Sequence, residues 1–242
     1  MVRARTLGIV VVVVAVTLAY DDLYGVAAAW VSALPVGQRW AIALPAHLVP
    51  IALAYGGALA LWRKAAPREL WLVPPMLAPF GVALAALVST VLVLATAPGA
   101  SLQLPLDDLL FLAVIPGIAE ELLFRGVVLG ALQRDLRLGF WPAAILSSLA
   151  FGAAHLIVVI RSREWGLLAI TAAGGLYFAW LRGRWRTLAA PIAMHALMDA
   201  AWVIVGVPSA VGDSRAQLAR VGGIVVGVAL TKRLTQKIDE AK

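Results

Sequence analysis

The chain has 242 residues, a net charge of +7, and a composition that is 62% hydrophobic and only 14% charged. A water-soluble domain holds about 45–50% apolar and about 25% charged residues, so a soluble globular domain is set aside and an integral membrane protein is expected. There is no cysteine, which excludes disulfides, thiolate nucleophiles and cysteine zinc sites; the positive charge is read as membrane-flanking Lys and Arg rather than as a nucleic-acid surface.

A bilayer core about 30 Å thick needs about 20 apolar residues per spanning helix. Eight segments qualify in chain order: roughly 6–34, 40–62, 70–97, 105–131, 141–160, 166–181, 187–207 and 218–231. The first follows a basic start, MVRAR, but no small-x-small cleavage site succeeds it, so it is read as a retained helix and not a removed leader. Asp21 and Asp22 interrupt it, which predicts a span to about residue 20 and then a short interfacial helix. Pro74, Pro75 and Pro79 predict a kinked or re-entrant start to the third. With the N-terminus in the cytoplasm, the inner loops and ends hold fourteen Lys and Arg and the outer loops five. That asymmetry predicts eight spans with both termini inside. Trp30, Trp40, Trp62, Trp71, Trp141, Trp165, Trp180 and Trp185 fall near segment ends, as an interfacial aromatic belt would; Trp202 does not. The expected fold is therefore an all-α polytopic bundle of about eight transmembrane helices, one integral membrane domain. Its parts are N-terminal helices 1–104, a core 105–207, and a C-terminal helix with a basic tail 208–242.

Polar residues interrupt three of these apolar runs: Glu120, Glu121 and Arg125; then His155, one helical turn after Phe151; then His195 and Asp199. A charge at the bilayer centre costs at least about 2.5–3.5 kcal/mol, so such residues mark function. At about 1.5 Å per residue, Glu120, His155, His195 and Asp199 lie about 16, 21, 12 and 18 Å from the inner ends of their helices, bracketing the midplane. Glu121 and Arg125 are four apart and form an ion pair on one helix face, while Glu120 is rotated by about 100° and left for chemistry. His195 and Asp199 are also four apart.

Hydrolysis within a membrane needs a water, a base and donors for the developing oxyanion. Glu120 and His155 suit the base, and His195, its tautomer set by Asp199, suits the electrophile. Alternatively Glu120, His155 and His195 hold a Zn²⁺ ion that acidifies its water. The spacing leaves both open. A lone Glu–Arg pair is as often plain helix glue, and His47, with no polar companions, is read as a core hydrogen-bonding residue.

EELLFR (Glu120 to Arg125), FGAAH (Phe151 to His155) and HALMD (His195 to Asp199) resemble the EExxxR, FxxxH and HxxxN/D motifs of the CPBP intramembrane proteases. This is the CAAX-protease and bacteriocin-processing family, also called Abi or Rce1-like. The resemblance covers about residues 105–207, including the run from Gly174 to Asp199. It implies an all-helical membrane fold of about eight spans. It also implies hydrolysis of a peptide bond in a membrane-associated peptide or protein, at an intramembrane site reached from the cytoplasm. Eukaryotic relatives remove the last three residues of prenylated CaaX proteins. Carried over by position, Glu120 and His155 activate water, His195 and Asp199 stabilise the oxyanion, and Glu121, Arg125 and Phe151 support the site. The family's metalloprotease label keeps Zn²⁺ on Glu120, His155 and His195 beside a metal-free glutamate mechanism. Asp199 stands where Asn is commonest, and an ionised Asp cannot donate to an oxyanion; it donates only if protonated, and otherwise orients His195 or binds metal.

Two other classes compete with an endopeptidase: a non-enzymatic immunity or scaffold protein that retains the motifs, and a proton-coupled transporter, whose sign would be an inverted repeat that is not visible here. The partners implied are the lipid bilayer and a membrane-associated substrate, with no nucleic acid. Ala-, Arg- and Val-rich usage points to a GC-rich bacterium, and so to its cytoplasmic membrane, where CaaX prenylation is not expected.

Overall fold

A computed structural model describes residues 2–32, 36–66, 70, 77–97, 99–156, 159–160, 163, 165–206 and 214–240. Among these residues the chain is a helical bundle. Helices α1 (Val2–Ser32), α2 (Val36–Trp62) and α3 (Leu77–Leu94) are followed by a long rod, α4, over residues 106–134. Then come α5 (Phe140–Ala154), α6 (Trp165–Trp185), α7 (Ala189–Ile204) and α8 (Ser214–Glu240). The expected two-part first segment is a single continuous helix. The proline-rich start of the third segment lies outside the described residues up to Leu77, and the side chains of Asp21, Asp22 and His47 are likewise outside them.

Polarity is arranged inside out. Glu121 and Arg125 are completely buried, while Leu77, Phe80, Leu84, Val88 and Leu92 form an exposed stripe along α3, and Trp141, Ile145 and Leu149 another along α5. Apolar ridges three and four residues apart that face outward fit a lipid solvent, which offers hydrogen bonds to no side chain. Residues Ala41–Ala65 and Leu77–Leu94 are long and apolar enough to cross a bilayer, whereas Phe140–Ala154 and Ala189–Ile204 are shorter apolar helices. The fifth expected segment is interrupted at His155: α5 stops at Ala154, and residues 156 and 159–160 are again helical, with the Val159 N–H bonded to the His155 carbonyl at 3.0 Å. His155 takes the cap position at φ −90° and ψ 3°, and its N–H turns back to the Gly152 carbonyl at 3.0 Å.

The indole belt also differs from expectation in two places. Trp62 is buried and its Nε1–H donates to Asp135 at 3.3 Å. Trp185 is buried and donates to Thr231 at 3.2 Å. An indole near a helix end is held by a partner on a neighbouring element as readily as by lipid headgroups. Trp141 and Trp165 are exposed, as a belt requires.

The rod α4 is not uniformly α-helical. It alternates α-helical Leu106–Asp108, Ile115–Glu120 and Leu129–Arg134 with π-helical Leu109–Val114 and Glu121–Val128. Pro116 supplies no N–H and crowds the carbonyl four residues back, and the N–H of Ile115 reaches Leu110, five residues back, just before it. Wide turns of this kind concentrate at functional sites, and the second begins at Glu121.

Helix α7 packs against α3 and α4, α3 also against α8, α5 against α6, and α1 on α2. A two-residue antiparallel pair, β1 (Ser101–Leu102) with β2 (Val205–Gly206), ties the approach to α4 to the end of α7. Midway, Gly117 on α4 lies against the α7 backbone: an added Cβ would meet Ala196 N at 3.0 Å and Ala196 Cα at 3.1 Å. Backbone cannot yield as a flexible side chain can. Gly117→Val should therefore destabilise by about 1–3 kcal/mol through overpacking. Thermal unfolding in detergent checks this, and an unchanged midpoint would mean the two helices are not in contact there.

Candidate active site

Construction begins on α4, where Arg125 Nη1 donates to Glu121 Oε1 at 2.9 Å with both side chains fully buried. The four-residue spacing survives the π-helical turn. The guanidinium carbon lies 4.2 Å from the Phe151 ring centre on α5 and 5.3 Å from that of Phe178 on α6. Aromatic faces thus cover the cation where hydrogen bonds do not. Gly175 makes room for it: a Cβ there would stand 2.9 Å from Arg125 Nη2 and 3.1 Å from Phe151 Cδ1.

The same carboxylate oxygen reaches a third helix. Glu121 Oε1 is 2.8 Å from His195 Nδ1 on α7. A carboxylate paired to arginine accepts, so Nδ1 carries the proton and donates. On the other side of the ring, His195 Nε2 faces Asp199 Oδ2 at 3.3 Å and Glu120 Oε2 at 3.7 Å. A nitrogen lone pair cannot bind a carboxylate lone pair, so one further proton belongs to this group, on Nε2 or on a carboxyl facing it. Asp199 was expected to set the tautomer of His195; Glu121 holds Nδ1 instead and Asp199 sits at Nε2. The approach of α4 to α7 at Gly117 and Ala196 makes that cross-helix bond possible.

His155, at the end of α5, places Nδ1 3.0 Å from the Phe151 carbonyl oxygen. A carbonyl only accepts, so Nδ1–H donates and the neutral ring keeps Nε2 as its acceptor. Phe151 lies between the polar groups, edge-on to His155 at 5.0 Å and to His195 at 6.0 Å. Phe178 stacks on His195 at 4.8 Å, 15° from parallel.

One cavity of about 290 Å³ collects these groups: Glu120, His155, His195 and Asp199 line it, with Phe151 and Phe178. Glu120 and Asp199 are part-exposed within it, at 30% and 37% of their side chains. A second cavity of about 510 Å³, lined by Gln103, Asp108 and Val203, shares Leu112, Asp199, Trp202 and Arg220 with the first and so adjoins it. Every residue singled out from the motifs thus meets at one place. Phe178 and Arg220 were missed. Phe178 sits in an apolar helix where an aromatic reads as core, and Arg220, 4.7 Å over Trp202, reads as a loop charge.

The two imidazoles keep Nε2 for the cavity, since Nδ1 of His155 is held by the Phe151 carbonyl and Nδ1 of His195 by Glu121, an orientation that serves a zinc ligand and a metal-free donor alike. Among the described residues no three His, Asp or Glu side chains are placed to hold a metal ion.

Residues 102–201 match the family model described as Type II CAAX prenyl endopeptidase Rce1-like, which spans all three motifs and agrees with the resemblance read from them. No curated protein and no solved structure matches the chain.

Proposed function

We propose that this protein, whose residues 102–201 match the Rce1-like, CAAX-type protease family, is an intramembrane endopeptidase acting on a membrane-associated peptide or protein. The observation that carries this reading is the single cavity lined by Glu120, His155, His195 and Asp199 from three helices. Glu120, assisted by Nε2 of His155, takes a proton from water as its oxygen attacks the scissile carbonyl. The oxyanion that forms receives the proton-bearing Nε2 of His195, held in place from behind by Glu121. The proton gathered by Glu120 and His155 then passes to the leaving amine, and the peptide bond breaks to give a carboxylate and an amine. Each of these steps runs through side chains alone; a zinc ion, were one held by Glu120, His155 and His195, would supply an acidified water to the same cavity.

In this role Asp199 serves as the counter-charge to His195 rather than as an oxyanion donor. The protein spans a bacterial cytoplasmic membrane about eight times with both ends in the cytoplasm, and the site lies near the midplane. Helices 1–104 and 208–242 enclose the catalytic core 105–207. A prenylated protein, as the family's name implies, is one candidate class; a lipid-anchored or spanning bacterial protein is favoured on the composition of the chain.

Host membranes holding the active protein, incubated in H₂¹⁸O, should yield new C-terminal carboxylates carrying one ¹⁸O, detected by mass spectrometry of membrane peptides. Folded protein that generates no labelled terminus above the level of membranes lacking it would overturn the proposal.

A further inference from the structure

Glu121 holds Nδ1 of His195 at 2.8 Å and Asp199 faces Nε2 at 3.3 Å, with the Cβ–Cγ bond tethering the ring at a third point. Small rotations about χ1 and χ2 that both contacts tolerate still tilt the imidazole plane and swing Nε2 between Asp199 at 3.3 Å and Glu120 at 3.7 Å. The Phe178 ring, stacked on the imidazole at 4.8 Å and 15°, blocks that motion from one face. Phe151, nearly perpendicular at 87°, touches it by an edge and cannot fix the tilt.

We propose that Phe178 is a positioning residue of the hydrolytic site, setting the plane of His195 and hence the direction of its Nε2–H. The proposal rests on the hydrolytic role of His195 but concerns a residue outside the three motifs. Local sequence supports it. Gly174, Gly175 and Phe178 lie three and four residues apart on α6 and so share a face. Gly174 lines the cavity, Gly175 leaves space for Arg125, and Phe178, buried, covers both His195 and the Arg125 guanidinium. The absence of a side chain at 175 lets α6 lie close to Arg125 on α4 and to Phe151 and Ser148 on α5, which sets the helix that carries Phe178 over the site. A ring that only filled space would be replaced adequately by an aliphatic side chain; a ring that defines a plane would not.

The test uses the full-length protein in detergent micelles with ¹⁵N-labelled histidine. Only three histidines are present, His47, His155 and His195, so His195→Gln assigns the signals. In the wild type the His195 ring protons should be shifted upfield by the stacked ring and should give one set of lines. Phe178→Leu should lose that shift and broaden or split the lines, and Phe178→Tyr should keep both. Phe178→Met, a flexible apolar replacement, carries the same expectation as Phe178→Leu should the latter fail to fold. With a membrane-anchored fluorogenic peptide cleaved by the wild type, kcat should fall about ten- to a hundredfold in the Leu or Met variant with KM little changed, and return in Phe178→Tyr. Unaltered His195 lines in Phe178→Leu or Phe178→Met, or full kcat in either, would overturn the positioning role. If the wild type cleaves no peptide, the proposed activity fails while the histidine spectra still decide the role of Phe178.

Discussion

Glu120→Gln should reduce peptide hydrolysis by about 10²–10⁴-fold, the range expected when a general base is removed, and leave the protein folded. The second half of that expectation comes from geometry. Glu120 is 30% exposed within the cavity, and its contact with His195 Nε2 is 3.7 Å, too long for a hydrogen bond. An amide of the same shape therefore removes no packing and strands no buried partner, and the thermal midpoint should stay close to that of the wild type. Its neighbour one position on behaves oppositely, because Glu121 is fully buried and bonded at one oxygen to both Arg125 and His195. Two adjacent carboxylates thus divide into one that reacts and one that holds the site together. Glu120→Gln protein with wild-type turnover would shift the base to His155 alone.

Arg125→Ala should destabilise the protein by about 3–5 kcal/mol, since removing one member of a buried ion pair leaves the other uncompensated. Neither partner is exposed, so solvent cannot take over the lost interaction. The guanidinium also fills the space between Phe151 and Phe178, and alanine would open a void there. Arg125→Lys keeps the charge but not the planar face that lies over the Phe151 ring, and should recover only part of the loss. Combining Glu121→Gln with Arg125→Met removes both charges at similar volume and should recover more stability than Arg125→Lys, yet stay impaired in activity because an amide oxygen holds Nδ1–H of His195 more weakly than the carboxylate and supplies no counter-charge to the ring. Unfolding in detergent at constant lipid content measures all three; an Arg125→Ala cost under about 1 kcal/mol would show that the pair is not buried in the folded protein.

The residues of the site could be found from spacing and depth, and their partnerships only in part. Contacts within one helix were readable: Glu121 with Arg125, His195 with Asp199, and Phe151 with His155 are all four apart and meet as the helical period requires. The contact between Glu121 and His195 was not, since it joins residues 74 positions apart and depends on how closely α4 approaches α7. A stretch such as LLFLAV carries no periodic sign that it winds as π-helix, and so the widened turns of α4 were invisible too. Helix ends shifted for a physical reason as well. Apolar composition continues through residue 160, but the chain turns at Ala154, placing His155 at a helix terminus. Trp62 and Trp185 were misassigned to the lipid interface because hydropathy cannot register a buried hydrogen-bond partner on another helix.

The most direct test of hydrolysis by Glu120 and His155 on one water is a four-way comparison of kcat/KM. It uses full-length protein in lipid vesicles with a substrate identified by ¹⁸O labelling. Wild type, Glu120→Gln, His155→Ala and the double variant are measured under one condition. Groups acting as a unit lose most of the rate at the first substitution, so the double variant should be nearly as active as the weaker single variant. Losses that multiply, or a Glu120→Gln enzyme at wild-type rate, would contradict a shared water at this site.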